Sequence, residues 1–283
     1  LEDRVKHFET SWKASDGLNI FAQGWEPTVL QPKGVVCLVH GLGEHTSRYA
    51  HVAEAFGKEG LILFGPDLRG HGRSDGARGH INSIEDFMGE IDLLLAQARI
   101  RYPNLPIILY GHSIGGVLVL HYSLLRKPNV KGVIATSSAL HTALENQKAK
   151  VMMAKVLGSL APKVQIASGL DPKSISRDDK VVQIYINDPL VHDRISFGFG
   201  KVMIGVTNWT LAHAGDFPLP LLLMHGKADA IAFPSSSTEF AASLKEKCTL
   251  VLWDGAAHEL HNEPEKGEVF KTMTLWMDAR LRE

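Results

Sequence analysis

The chain has 283 residues, enough to bury one large core, with a globular composition of 45% hydrophobic and 22% charged residues. Lys and Arg total 30 against 31 acids, a formal charge of −1, and no basic run is present, so nucleic-acid binding has no electrostatic support. No stretch approaches the roughly 20 consecutive apolar residues of a membrane span. The two cysteines, Cys37 and Cys248, are too few for a disulfide framework and read as buried free thiols. Leu1-Glu2-Asp3-Arg4 is charged and lacks the apolar segment of a signal peptide, which points to a cytoplasmic protein unless a targeting segment has been removed.

Val5 to Lys13 and Leu18 to Trp25 alternate loosely around Asp16-Gly17, the signature of an antiparallel hairpin at a sheet edge. Gly34 to Val39 is the first continuous apolar run, as expected of a strand buried on both faces, and it ends in His40-Gly41-Leu42-Gly43-Glu44-His45. A helical run over Tyr49 to Glu59 and a strand over Leu61 to Phe64 follow. The turn-rich stretch from Pro66 to Ser74 leads to a helix over Ile84 to Tyr102. Its apolar residues Phe87, Ile91, Leu94, Leu95 and Ala98 fall close to the helical period. Ile107 to Tyr110 predicts a short buried strand, Val117 to Leu125 a helix and Val130 to Ala135 another strand. Between Ser137 and His213 the rhythm breaks into helical patches and turns. Strand Leu219 to His225, helix Ser235 to Leu244, strand Thr249 to Trp253 and helix Pro264 to Leu281 finish the chain. This alternation implies one α/β domain over 1–283, with a mainly parallel sheet flanked by helices. The irregular block is too long for a loop and reads as an inserted, mostly helical cap over 138–213, folded against the carboxyl edge of the sheet.

The chemistry centres on Gly111-His112-Ser113-Ile114-Gly115-Gly116, between the strand at Ile107 and the helix at Val117. A serine with glycines two before and two after, in that setting, is a nucleophile elbow: the turn is too tight for side chains beside the serine, whose hydroxyl is pushed out over the sheet edge. A serine hydroxyl needs a base, and the base needs a partner that fixes its tautomer. In an α/β-hydrolase these follow in the order serine, acid, histidine, each on a loop after a strand. Asp229 directly follows strand Leu219 to His225, and His258 follows strand Thr249 to Trp253. His258 is preferred over His261 by its distance from the strand end. Asp254 rivals Asp229 but lies on the base's own loop, where holding the far ring nitrogen is awkward.

Two backbone amides are placed for an oxyanion hole: that of Ile114, directly after the nucleophile, and that of Leu42, between Gly41 and Gly43. A metal reading of His258-Glu259-Leu260-His261 fails, since the zincin pattern needs two residues between the glutamate and the second histidine. A dinucleotide reading of His40 to His45 fails because Thr46 stands where the third glycine belongs. Neither a metal nor another cofactor is expected.

His40-Gly41-Leu42-Gly43-Glu44-His45 with Arg48-Tyr49, Asp67 with Gly70-His71-Gly72-Arg73-Ser74, the Ser113 elbow, and His258 followed by His261 together resemble the monoglyceride (monoacylglycerol) lipases of the α/β-hydrolase superfamily. The resemblance runs from the first central strand to the last helix and is weakest in the cap. It implies Ser113, Asp229 and His258 as the triad and the amides of Leu42 and Ile114 as the oxyanion hole. It further implies that Glu44, Arg48 and His261 surround the glycerol hydroxyls, partly through water. Leu42 stands where relatives often carry a smaller residue. The resemblance also implies an apolar cap that lines the acyl channel and touches membranes, a description that Val151 to Leu157 and Phe197 to Trp209 fit. The expectation is a serine hydrolase that releases a fatty acid and glycerol from monoacylglycerols. The alternatives are a carboxylesterase, lysophospholipase or acyltransferase with the same triad, and, more remotely, a non-catalytic binding protein on the same scaffold.

Overall fold

Runs of apolar residues without a polar face have to lie in the interior of a sheet, and the computed structural model, which describes residues 5–244 and 247–282, puts them there. The charged Leu1–Arg4 stretch lies outside the described residues. The chain opens with the hairpin β1 (Val5–Lys13) and β2 (Asn19–Pro27). It continues through β3 (Gly34–Val39), α1 (Ala50–Gly57), β4 (Leu61–Pro66), α2 (Ile84–Arg101), β5 (Ile107–His112), α3 (Ile114–Arg126) and β6 (Gly132–Thr136). The segment that follows carries α4 (Lys148–Leu160), β7 (Gln165–Ala167), α5 (Asp179–Asn187), β8 (Arg194–Ser196) and α6 (Phe197–Ala212). Then β9 (Leu221–Gly226), α7 (Pro234–Ala242), β10 (Cys248–Trp253) and α8 (Lys266–Leu281) complete the chain.

Eight strands form one sheet in the order β1-β2-β4-β3-β5-β6-β9-β10. The hairpin and its junction with β4 are antiparallel, and the other pairs are parallel. Alternate residues of each central strand feed two cores. Val35, Cys37, Val39, Leu109 and Leu223 face α2 and α3 residues such as Phe87, Leu94 and Leu118. Val36, Leu38, Tyr110, Leu222 and Met224 face Val52 and Phe56 of α1 and Met273 and Met277 of α8. This is the period-two logic of a strand covered on both sides. Because the six parallel strands run the same way, the loops after β3, β5, β9 and β10 gather at one edge.

Two departures from the sequence reading have local causes. Helix α3 begins at Ile114 rather than Val117, because Ser113 itself makes the whole turn. The segment between β6 and β9 also contains a strand pair where only helices and turns were expected: β7 and β8 are antiparallel, Ile166 opposite Ile195. Each strand is three residues long, too short to show a hydrophobic period. Cys37 is buried in β3 and free, while Cys248, also free, opens β10 and is only partly buried. No described helix is long and apolar enough to cross a membrane.

Candidate active site

Ser113 occupies the bend between β5 and α3 with φ 56° and ψ −118°, a conformation few non-glycine residues adopt. The bend can close because the residues two before and two after the serine carry no side chain. A Cβ on Gly115 would lie 2.0 Å from the Val39 carbonyl oxygen, and one on Gly111 2.2 Å from that of Gly115. The Ser113 N–H donates to the Thr136 carbonyl (2.9 Å), and the Ser113 carbonyl accepts from the Ala139 N–H (3.2 Å). The elbow is thus held by β6 and the residues just after it.

The loops after β9 and β10 pass in direct contact. A Cβ on Gly226 would meet the Ala257 carbonyl oxygen at 2.2 Å, and the Ala228 N–H donates to the Ala256 carbonyl (3.0 Å). Ser137, in the left-handed region at φ 47°, donates its hydroxyl to the His258 carbonyl (2.6 Å). The Ala257 N–H donates to Glu263 (2.9 Å). These bonds bring the imidazole between the carboxylate and the hydroxyl.

His258 Nε2 lies 2.9 Å from Ser113 Oγ, and His258 Nδ1 lies 2.7 Å from Asp229 Oδ2. Asp229 Oδ1 accepts the N–H groups of Ile231 and Ala232, both at 2.9 Å, which fixes the carboxylate. His225 Nε2 adds a bond to Asp229 Oδ2 (3.1 Å) and is itself oriented by the Ser237 hydroxyl (2.7 Å) on Nδ1. With the carboxylate accepting at Nδ1, Nε2 of His258 is left as the acceptor for the serine proton. Burial alone would raise the Asp229 carboxyl, but the charge of His258 and the bonds from both histidines outweigh it and hold the group below its ordinary value. Burial alone would lower His258; Asp229 outweighs it and raises the imidazole. Asp254, the rival acid, points away, with its carboxylate 88% exposed and 2.6 Å from Lys227 Nζ.

A second buried cluster adjoins the first. Glu44 Oε1 accepts from the Gly41 N–H (2.7 Å) and the Tyr49 hydroxyl (2.8 Å), and its Oε2 accepts from Arg48 Nη1 (2.7 Å). The same guanidinium forms a two-pronged pair with Glu259, 2.7 Å on each side, and its carbon lies 4.7 Å from the centroid of the Tyr185 ring of α5. Burial pulls the Glu44 carboxyl up, but Arg48, with smaller help from His112 and His40, brings it down to about 2. His261 stacks on Tyr49 at 4.6 Å and abuts His112 edge-on at 4.8 Å; neither ring nitrogen has a protein hydrogen-bond partner.

A cavity of about 210 Å³ opens above Ser113. Leu42, Ile114 and Glu44 line it with Ser113 and His258, whereas Arg48 and His261 stand one layer back. Glu259, Tyr185 and His112 also reach the lining, and none of them was singled out from the sequence. Glu259 had a signal, as an acid directly beside the candidate base; Tyr185 comes from the inserted segment and had none. The apolar stretches Val151 to Leu157 and Phe197 to Trp209, expected along an acyl channel, do not line this cavity. Phe199, Met203 and Val206 instead pack into the core beneath. The walls on that side are Ala143, Leu170, Ile175 and Ile231.

A mainly parallel sheet in this order, with a strained serine after its fifth strand and an acid and a histidine after its last two, is the α/β-hydrolase fold. The family model described as "Serine aminopeptidase, S33" matches residues 30–265, and the chain belongs to that family. The monoacylglycerol lipase of Mycolicibacterium smegmatis is 34% identical over 96% of this chain and 98% of its own. The crystal structure of Paleococcus ferrophilus monoacylglycerol lipase superposes with a TM-score of 0.82 at 33% identity, covering 97% of this chain and 99% of that one. An uncharacterized abhydrolase domain-containing protein of Dictyostelium discoideum is 38% identical over 94% of this chain, which spans only 28% of that relative's length. The motif-level resemblance to monoacylglycerol lipases therefore extends over nearly the whole chain.

Proposed function

We propose that this protein is a serine ester hydrolase that cleaves monoacylglycerols to a fatty acid and glycerol, with Ser113, His258 and Asp229 as its triad. The observation that carries the reading is the unbroken hydrogen-bonded chain from Ser113 Oγ through both ring nitrogens of His258 to Asp229. The full-length likeness to two proteins named monoacylglycerol lipase supports the substrate class.

In the first half-reaction His258 Nε2 takes the Ser113 proton as Oγ attacks the ester carbonyl, and Asp229 steadies the imidazolium. The carbonyl oxygen becomes an oxyanion between the N–H groups of Leu42 and Ile114, each such donor being worth about 3 kcal/mol in typical hydrolases. Ile114 opens α3, so its N–H is one that the helix cannot use. His258 then returns the proton to the departing glycerol oxygen, and water attacks the acyl-enzyme by the same route. Glu44 receives glycerol hydroxyls directly. Arg48 and His261 act from the second layer, and the two unpartnered ring nitrogens of His261 are a reason to put a bridging water there. The segment 138–213 is the cap, and the acyl chain lies along Ile114, Leu170, Ile175 and Ile231. Met152, Val156 and Leu160 recur every fourth residue on α4, are 62%, 49% and 77% exposed, and form the face that meets a lipid surface.

Activity on monoacylglycerol, triacylglycerol and methyl ester of one acyl chain tests the reading, together with labelling by a fluorophosphonate probe. Monoacylglycerol is expected to be the best substrate and Ser113→Ala to abolish labelling. A preference for triacylglycerol, or a probe that never reaches Ser113, would overturn it.

A further inference from the structure

Among the described residues that line the cavity there is no lysine or arginine, whereas Glu44, Asp171 and Glu259 all line it. The nearby cation, Arg48, is already spent: it gives three N–H bonds to Glu44 and Glu259, all at 2.7 Å, and its flat face lies against Tyr185. One guanidinium between two carboxylates leaves a net negative charge in the wall, in groups that are 7% exposed or less. Asp229 is a third buried carboxylate, on the far side of His258. His258 is paired with Asp229, and neither His112 nor His261 compensates the Glu44–Glu259 pair. Burial, aided by neighbouring His258, pushes His112 down to about 3, and burial together with His112 and His51 drives His261 well below its ordinary value.

We infer that the site takes esters of uncharged or cationic alcohols and rejects esters whose alcohol carries an anionic group, and that Glu259 sets this rule by capturing Arg48. The inference rests on the hydrolase function proposed above and narrows its substrate class. An anionic group on the leaving alcohol, such as a phosphate, normally needs an arginine fork or a lysine. Here it would meet carboxylates in a water-poor wall. Two like unit charges roughly 8 Å apart at an effective dielectric of about 20 repel enough for a discrimination of about 30-fold. Replacing Glu259 by glutamine keeps the shape and one hydrogen bond to Arg48, removes the excess charge, and frees part of the fork.

The test compares kcat/KM for three esters of one acyl chain in the same neutral detergent: monoacylglycerol, monoacylglycerol phosphate and acylcholine. The wild-type protein is expected to disfavour the phosphate ester by about 30-fold or more relative to monoacylglycerol and to accept the choline ester within about tenfold of it. Glu259→Gln is expected to raise the phosphate-to-neutral ratio by about 10-fold or more. The ratio is independent of how much of the variant is folded. Should that variant yield no folded protein, Asp171→Asn at the exposed mouth is expected to raise the ratio about 2-fold, an effect that salt screens. Equal use of phosphate and neutral esters by the wild type would overturn the inference. So would equal rejection of phosphate and choline esters, since that would be selection by size, or a ratio that the variants leave unmoved. Failure to hydrolyse monoacylglycerol at all would instead sink the function proposed above, so the two failures are distinguishable.

Discussion

Replacing Arg48 with methionine keeps most of the side-chain volume and removes the guanidinium that joins Glu44 to Glu259. Both carboxylates are buried, with side chains 3% and 4% exposed, so neither can turn to water. In the intact cluster Glu44 ionises at about 2 instead of 4.5: burial pushes it up, and Arg48 is the largest of the influences that bring it down. At about 1.4 kcal/mol per pH unit, that difference corresponds to about 3 kcal/mol of stability at neutral pH. Breaking a buried pair typically costs about 3–5 kcal/mol, because the orphaned charge stays behind. The variant should therefore lose about 3–5 kcal/mol at pH 7.5. The sign with pH follows. In the wild type the Glu44 contribution is present above 4.5 and lost as pH falls toward 2. In the variant the bonds from Gly41 and Tyr49 and the weaker pulls of His112 and His40 remain, but with the largest opposing influence gone burial is expected to prevail and raise the carboxyl, so its contribution is present below 4.5 and lost as pH rises. The gap between the two proteins must then narrow on acidification. Urea unfolding followed by circular dichroism at pH 7.5 and pH 5 measures it. A deficit below about 1 kcal/mol at pH 7.5, or one equal at both pH values, would refute a buried ionic cluster.

The remaining predictions concern the triad and the elbow. His258 must be neutral to accept the serine proton, and Asp229 raises its pKa, so kcat/KM should climb with pH to a midpoint above 6.5. Asp229→Asn should cost about 10³–10⁴-fold and move that midpoint to lower pH, while Asp254→Asn should leave the profile unchanged; a pH-rate series on the three proteins decides. Ser113→Gly should abolish activity yet raise the melting temperature, since it relieves a left-handed serine worth about 1–2 kcal/mol; a lower melting temperature would mean the bend is not strained. Gly115→Ala forces a carbon to 2.0 Å from backbone and should unfold the protein or shift the loop after β3, whereas Gly89→Ala in α2 meets nothing within 4 Å and should gain up to about 1 kcal/mol. Equal effects of the two would contradict the packing at the elbow.

Much of this was legible in the sequence because it is local. The central strands declare themselves as unbroken apolar runs, and the hairpin by its Asp16-Gly17 turn. The proposed nucleophile, Ser113, is announced by glycines that sterics demand two residues to either side of it. The proposed acid and base, Asp229 and His258, could be singled out because each sits just beyond a strand end, so that chain order alone brings them to one edge. What stayed hidden is what depends on long-range pairing. The bonds from Arg48 to Glu259, 211 residues apart in the chain, need the loops after β3 and β10 already in place. Tyr185 reaches Arg48 only because α5 folds back over the sheet, and nothing in Asp179–Asn187 says so. The apolar stretch from Phe197 to Trp209 misled for the same reason: a buried helix and a channel wall share one composition.

That long-range wiring is also unevenly distributed. The segment between β6 and β9 is bonded to the loop that carries His258: the Glu259 N–H donates to the Ile175 carbonyl (2.7 Å), and Glu263 accepts from Ser176 Oγ (2.9 Å) and from the Arg177 N–H (2.7 Å) and Nε (2.6 Å). Since the same Glu263 carboxylate also takes the Ala257 N–H, a pull on Ser176 or Arg177 reaches His258 through one shared acceptor. A further contact ends on the loop that carries Leu42, where the His192 N–H donates to the Gly43 carbonyl (2.9 Å). The Ser113 backbone is tied on one side to Thr136 of β6 and on the other to Ala139, just after that strand. The segment between β6 and β9 therefore touches the loop of His258, the loop of Leu42 and, through Ala139, the backbone of Ser113.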